Sequence, residues 1–197
     1  MMPAARIRTI TILCALLLAT APTLRAEGAW QLSALMASLA QSSHTKVRFR
    51  EERALRYLDD TLVSEGYMSV DKQGQLLKEI SKPRYERLLV TEQTVQVSRE
   101  GGEEVRISLG DYPLLLGFIE AFRATLLGDQ ETLLRHYRHE LQGAAKGWQL
   151  RLYPLQAELA RVIEVIEIDG QQGMAQRFRI LEPGGDHTTI TITALSQ

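Results

Sequence analysis

Four histidines, His44, His136, His139 and His187, and a single cysteine, Cys14, are the residues best suited to acid–base, metal or nucleophilic work. Such chemistry needs several groups converging on one point. His136 and His139 are three apart and could ligate a metal from one helical face. Arg135 and Arg138 stand beside them and would repel a cation, so a solvated face is the better reading. The acidic pairs Glu51-Glu52, Asp59-Asp60 and Glu103-Glu104 are adjacent in sequence. On a strand, neighbouring side chains point to opposite faces, which keeps such a pair from working as a joint acid and base. Gly184-Gly185-Asp186-His187 brings an Asp and a His together, but a turn between strands calls for the same residues. No G-x-S-x-G, phosphate-cradling glycine loop or H-E-x-x-H occurs. One cysteine gives neither a disulfide framework nor a Cys-based zinc site. No catalytic residue, metal or cofactor is expected.

The remaining composition is that of a globular chain. Its 197 residues suffice for one ordinary domain and are short for two. Hydrophobic residues make up 45% and charged residues 24%, which excludes disordered, collagen-like and coiled-coil chains. A formal net charge of -1 argues against a polycationic nucleic-acid binder. Aromatic residues are only 6%, so Leu, Ile and Val must build the core.

Residues 1–26 read differently from the rest. Arg6 and Arg8 precede an apolar run from Ile10 to Ala19, followed by Pro22 and Leu24-Arg25-Ala26. This is the layout of a secretory signal peptide, with cleavage near Ala26. The run is about half the roughly 20 apolar residues a membrane-spanning helix needs. Leu13 before Cys14 is too large for a lipidation signal, and Cys14 sits mid-run. Residues 27–197 then form a single exported, soluble domain without cysteine, suited to an oxidising compartment.

The elements that must position everything else come next. Gly28 to Ala40 carries Trp30, Leu32, Leu35, Met36 and Leu39 at helical spacing. Val47-Arg48-Phe49-Arg50-Glu51 alternates like a half-buried strand. Short strand-like runs follow at Leu62–Val70, Gln75–Ser81, Glu86–Thr91, Thr94–Ser98 and Glu104–Leu109, separated by turn residues. Pro113 to Leu127 is helical in period, with Pro113 in the first turn. Gly128 breaks it, and Asp129 can cap a second short helix through about Tyr137. Strand patterning resumes at Trp148–Leu152, Arg161–Ile168, Gln172–Ile180 and Thr188–Leu195. About ten strands in a meander make a sheet that curls strongly. Its inner face needs a cover, and the two helical segments are available.

The ordered motifs resemble a known family. They are Val47-Arg48-Phe49-Arg50-Glu51 after the first helix, then Leu62-Val63-Ser64-Glu65-Gly66-Tyr67-Met68, Ser81-Lys82-Pro83 and Glu86-Arg87-Leu88. Leu150-Arg151-Leu152-Tyr153-Pro154, Ile166-Glu167-Ile168-Asp169-Gly170 and Gly184-Gly185-Asp186-His187-Thr188 complete the set. In order and spacing the chain looks like the periplasmic outer-membrane lipoprotein carriers of the LolA family. It is most similar to a divergent branch associated with acyltransferase and aryl-polyene export clusters, which Arg123-Ala124-Thr125-Leu126-Leu127-Gly128-Asp129 fits. The resemblance implies a mainly β protein with helices (α+β). Its fold would be an incomplete antiparallel β-barrel or half-pipe covered by a helical lid. It also implies a monomeric periplasmic carrier that binds acyl chains in an apolar cavity. Such a carrier receives acylated lipoprotein from an inner-membrane exporter and passes it to an outer-membrane acceptor. Where the family places an arginine that helps hold the lid, this sequence has Lys82.

Strand alternation nominates Val47, Phe49, Leu88, Val90, Trp148, Leu150, Leu152, Ile166, Ile168, Phe178 and Ile180 for such a cavity. The central helix offers Leu115, Phe118, Ile119 and Phe122 as lid residues, with Lys82 as candidate latch. A closed ordinary core would use the same residues. Three functions therefore compete: a carrier of lipoprotein, aryl-polyene or glycolipid cargo, a non-catalytic envelope interaction module, and a hydrolase with an unrecognised Asp–His site.

Overall fold

The structure is a computed structural model that describes residues 30–42, 46–71, 73–102 and 104–195. The expected signal peptide lies outside the described residues. Helix α1 spans Leu32–Ser42. Its Leu32, Leu35, Met36 and Leu39 are buried, as their 3.6-residue spacing requires. Strands β1 (Val47–Ala54), β2 (Leu62–Val70), β3 (Leu76–Lys82), β4 (Glu86–Val90), β5 (Thr94–Arg99) and β6 (Val105–Ser108) follow. A 3₁₀ turn at Leu109–Asp111 leads into α2 (Pro113–Leu127) and α3 (Gln130–His136). Strands β7 (Tyr137–Ala144) and β8 (Gly147–Pro154), helix α4 (Ala157–Ala160), and strands β9 (Val165–Gln171), β10 (Met174–Leu181) and β11 (His187–Ala194) complete the chain.

All eleven strands form one sheet, in the order β6-β5-β4-β3-β2-β1-β11-β10-β9-β8-β7. Every pairing is antiparallel. The edges β6 and β7 do not pair, so the sheet is an open half-pipe and not a closed barrel. This order dictates where the helices go. The chain meanders from the central β1 out to one edge at β6, then resumes at the opposite edge with β7. The connection between them must cross the sheet, and α2 and α3 are that connection.

The concave face is packed in two parts. Beneath α1, Phe49, Leu150, Leu152, Ile168, Phe178 and Ile192 join the α1 leucines in one buried cluster. A second cluster holds Val70, Leu76, Val90, Val95, Val97, Leu109 and Ile119. Phe118, Phe122 and Leu126 of α2 touch both. Burying each large apolar side chain is worth roughly 1.5–3 kcal/mol, so the two clusters dominate the cohesion of the fold.

Helix α2 has the bounds its sequence predicts. Pro113 stands at the first helical position, and Gly128 caps the end with φ 71°. Gly128 is required twice over, because a Cβ there would lie 2.1 Å from the Met36 carbonyl oxygen of α1. Asp129 caps α3 by accepting a hydrogen bond from the Thr132 backbone N–H.

Three expectations need correction. The sequence reading ends the second short helix near Tyr137 and finds no strand before Trp148, yet Tyr137–Ala144 is strand β7. Its inward positions include His139 and Gly143 besides Tyr137 and Leu141, which dilutes the alternation of apolar residues. His136 and His139 consequently do not share a helical face: His136 ends α3 and His139 lies on β7. Lastly, Val162 and Ile163 belong to the loop after α4, because β9 begins only at Val165.

Candidate functional site

A cavity of about 700 Å³ opens on the concave face between the β1–β6 half of the sheet, β10–β11 and α2. Ligand pockets commonly measure about 300–1,000 Å³. Strands β2 to β6 contribute Met68, Leu76, Leu88, Val90, Val95, Val97 and Ile107. The register explains the set: Leu76 faces Val90, Val90 faces Val95, and Val95 faces Ile107 across successive strands. Helix α2 supplies Phe118, Ile119 and Phe122, the loop after α4 supplies Val162 and Ile163, and Ile180 and Ile190 close the far side.

One end of this apolar trough is charged. Glu51, Arg53, Lys78, Glu86, Arg99 and Glu182 all line it, together with Thr188. Lys78 Nζ lies 2.5 Å from Glu51 Oε2 and 4.8 Å from the centre of the Phe49 ring. Lys78 is on β3 and both partners are on β1, so its side chain crosses over β2. Gly66, which pairs with Phe49, lies on the strand between them. The half-buried ion pair thus stands between the closed core under α1 and the open cavity. Arg99 Nε meets Glu86 Oε2 at 2.6 Å, a directly cross-strand pair.

Helix α2 is held at several points. Arg123 Nη1 donates to the Thr91 carbonyl at 3.5 Å, linking the helix to the β4–β5 turn. Glu120 Oε2 lies 2.7 Å from His136 Nε2 of α3. The Phe122 ring packs against Phe178 with centroids 4.8 Å apart, and Phe118 stacks at 6.4 Å from Phe122. Burial pushes the Tyr137 hydroxyl well above the ordinary tyrosine value.

The nominated residues divide among three places. Leu88, Val90, Ile180, Phe118, Ile119 and Phe122 line the cavity. Leu152, Ile166, Ile168 and Phe178 belong to the buried cluster and, with Phe118, Phe122 and Ile180, line a crevice of about 10 Å³ under α2, room for about one water. Val47, Phe49, Trp148 and Leu150 belong to the packed cluster beneath α1. Trp148 additionally donates its indole N–H to the Gln172 carbonyl at 3.0 Å. The Leu115 side chain lies outside the described residues.

Lys82 is 76% exposed and its ion-pair partner is Glu65 at 3.7 Å, on the neighbouring strand. No hydrogen bond or ion pair joins Lys82 to α2 among the described residues. A register shift in the β2–β3 pairing between Glu65 and Gly66 places Lys82 beside Glu65. Glu65 in turn binds Arg50 on the convex face at 2.7 Å. Simple alternation from Ile80 would point Lys82 into the cavity, and the bulge reverses it. The contact from α2 to the sheet turns is made by Arg123 instead.

Sequence reasoning missed Met68, Leu76, Val95, Val97, Ile107, Val162, Ile163 and Ile190. The first five and Ile190 alternate on expected strands and were discoverable by parity. Val162 shares the parity of Ile166 and Ile168 in the expected strand Arg161–Ile168, while Ile163 has the opposite parity; both reach the cavity from the loop before β9. Asp186 ends the β10–β11 connection, where its Oδ1 accepts from the Arg56 backbone N–H at 2.9 Å, and His187 is the first residue of β11. Glu51 and Glu52 point to opposite faces and bind different partners, Lys78 and Arg50.

The architecture is thus an open antiparallel half-pipe with an apolar cavity under a crossing helix. The model of the outer membrane lipoprotein carrier protein LolA-like family matches residues 25–193, and the chain belongs to that family. No curated protein matches the sequence. Among solved structures, the LolA superfamily protein NE2245 from Nitrosomonas europaea aligns with TM-score 0.48 and 8% identity, covering 86% of this chain and 94% of that one. A chain of the Pseudomonas aeruginosa MucA/MucB complex aligns with TM-score 0.44 and 13% identity over 84% of this chain and 56% of that one. LprF from Mycobacterium bovis aligns with TM-score 0.37 and 12% identity over 84% and 94%.

Proposed function

We propose that this protein is a periplasmic carrier that shelters the acyl chains of a lipoprotein, or of a related lipid, between the inner and outer membranes. An inner-membrane exporter would load it and an outer-membrane acceptor would unload it. The observation that carries this reading is the cavity of about 700 Å³ with apolar walls from β2–β6 and α2. Each methylene moved from water into such a site gains roughly 0.8 kcal/mol. Chain length therefore sets affinity, and no catalytic group is needed for binding or release. The ion pairs Lys78–Glu51 and Arg99–Glu86 occupy most of the charged groups in the cavity, which supports a binding role over an acid–base one. The family membership and the expected signal peptide support the compartment.

The test is binding of a fluorescent acyl probe to wild type, Phe118→Asp and Leu88→Asp. Both residues are half-buried and line the cavity. A carboxylate at either point would lie against the chain without a partner, so probe affinity should fall several-fold or more. Circular dichroism should show the sheet intact. Equal binding by all three proteins would refute the assignment of the cavity. Native mass spectrometry of the protein purified from its own envelope would then identify the cargo directly.

A further inference from the structure

The charged end of the cavity is not uniformly occupied. Its six charged residues comprise three cations and three anions. Lys78 is engaged by Glu51 at 2.5 Å and Arg99 by Glu86 at 2.6 Å. Arg53 and Glu182 are left: among the described residues neither side chain has a hydrogen bond or ion pair. The register sets these two near one another. Arg53 of β1 faces Thr188 of β11, and Thr188 faces Ile180 of β10. Glu182 stands one residue beyond the end of β10 and lines the same cavity. Arg53 of β1, Thr188 of β11 and Glu182 just after β10 thus lie side by side at the rim of an apolar trough.

We propose that Arg53, Thr188 and Glu182 bind the polar head of the cargo, and that this head is zwitterionic, a phosphate ester carrying a primary amine. The proposal rests on the carrier reading, since the head reaches this rim only when its chain lies in the cavity. The guanidinium of Arg53 presents a planar fork that matches two phosphate oxygens. The Thr188 hydroxyl adds a further donor. The Glu182 carboxylate accepts hydrogen bonds from the ammonium. A head with phosphate alone would satisfy Arg53 and leave its charge against Glu182. An uncharged head could form only neutral hydrogen bonds there and would leave both charges without a counter-charge.

The experiment measures displacement of a neutral fluorescent acyl probe from the purified protein. Three competitors share one acyl chain: lysophosphatidylethanolamine, lysophosphatidic acid and monoacylglycerol. Wild type should prefer the zwitterion over the monoacylglycerol by roughly tenfold, in line with one or two charge-assisted hydrogen bonds. The zwitterion should also outcompete lysophosphatidic acid. Arg53→Gln should weaken both phosphate lipids, with Arg53→Lys intermediate. Glu182→Gln should abolish the preference for the zwitterion over lysophosphatidic acid. Monoacylglycerol binding should change much less than binding of either phosphate lipid in every variant. If monoacylglycerol binds but the substitutions leave the order of the three lipids unchanged, the head site is wrong and the carrier reading stands. Stronger binding of lysophosphatidic acid than of the zwitterion by wild type would also overturn the proposal. If wild type binds none of the three lipids or the probe, the carrier reading falls and the head site with it.

Discussion

At the scale of single residues, the absence of a side chain shapes this site as much as the side chains do. Gly66 lies on β2, the strand between Lys78 of β3 and its partners Glu51 and Phe49 on β1. A Cβ at Gly66 would also fall 1.8 Å from the Glu79 carbonyl oxygen, which is impossible without moving β3. Gly66→Ala should therefore cost at least about 2 kcal/mol, well beyond the usual effect of a surface substitution. A urea titration would read this as a lower midpoint with a similar slope. A midpoint within error of wild type would show that the β2–β3 bulge relaxes freely. The signal for this glycine was present in the sequence, inside an otherwise regular strand pattern, where an isolated glycine marks a bulge or close approach. What it approaches was not legible, because Glu79 is brought to it only by strand pairing.

At the scale of elements, the junction between α2 and α3 carries a pH-dependent contribution. Hydrogen bonding from Thr132 holds the Asp129 carboxyl below the ordinary aspartate range. The folded state therefore binds this proton less readily than the unfolded chain does. The stabilisation is fully present above the unfolded value, about pH 3.9, and is lost as pH falls through the lowered folded value. Asp129→Ala should cost about 1 kcal/mol at neutral pH through loss of the cap. The gap between wild type and variant in thermal melts should stay level above about pH 5 and shrink towards pH 3. A gap that remains unchanged in acid would remove Asp129 from the capping role. Both the cap and the bounds of α2 were readable from Pro113, Gly128 and Asp129, since capping depends on local chain chemistry.

At the scale of the whole molecule, the half-pipe is unevenly filled. Helix α1 seals one half, with Leu35 and Leu150 both fully buried, while α2 leaves about 700 Å³ open over the other. A protein that keeps such a space gains stability when it is occupied. A saturating acyl ligand at about 100 times its Kd should raise unfolding stability by about 2.7 kcal/mol. The urea midpoint of wild type should rise with ligand concentration, and that of Phe118→Asp should rise much less. A wild-type midpoint indifferent to every acyl ligand would argue that the cavity is a packing feature only.

Local patterns in the chain suffice for the class of fold, the order of α1, α2, α3 and ten of the strands, and the apolar character of α2, but not for the short helix α4. These follow from periodicity and turn chemistry, which act over a few residues. Family membership was also legible, through short motifs in a definite order. Which half of the concave face stays open was decided only in three dimensions. Phe49, Leu150, Leu88 and Val90 carry the same alternating signature. Yet the first two lie beneath α1, and the last two line the cavity. That division depends on which strands α1 covers and where α2 crosses between β6 and β7. Lys82 shows the same limit at a single position, because one bulged register turns it from the cavity to the convex face. Strand β7 was hidden because alternation there includes histidine and glycine, and only its pairing with β8 makes it a strand. Pairing, cover and register arise from contacts between residues distant in sequence, so no local pattern encodes them.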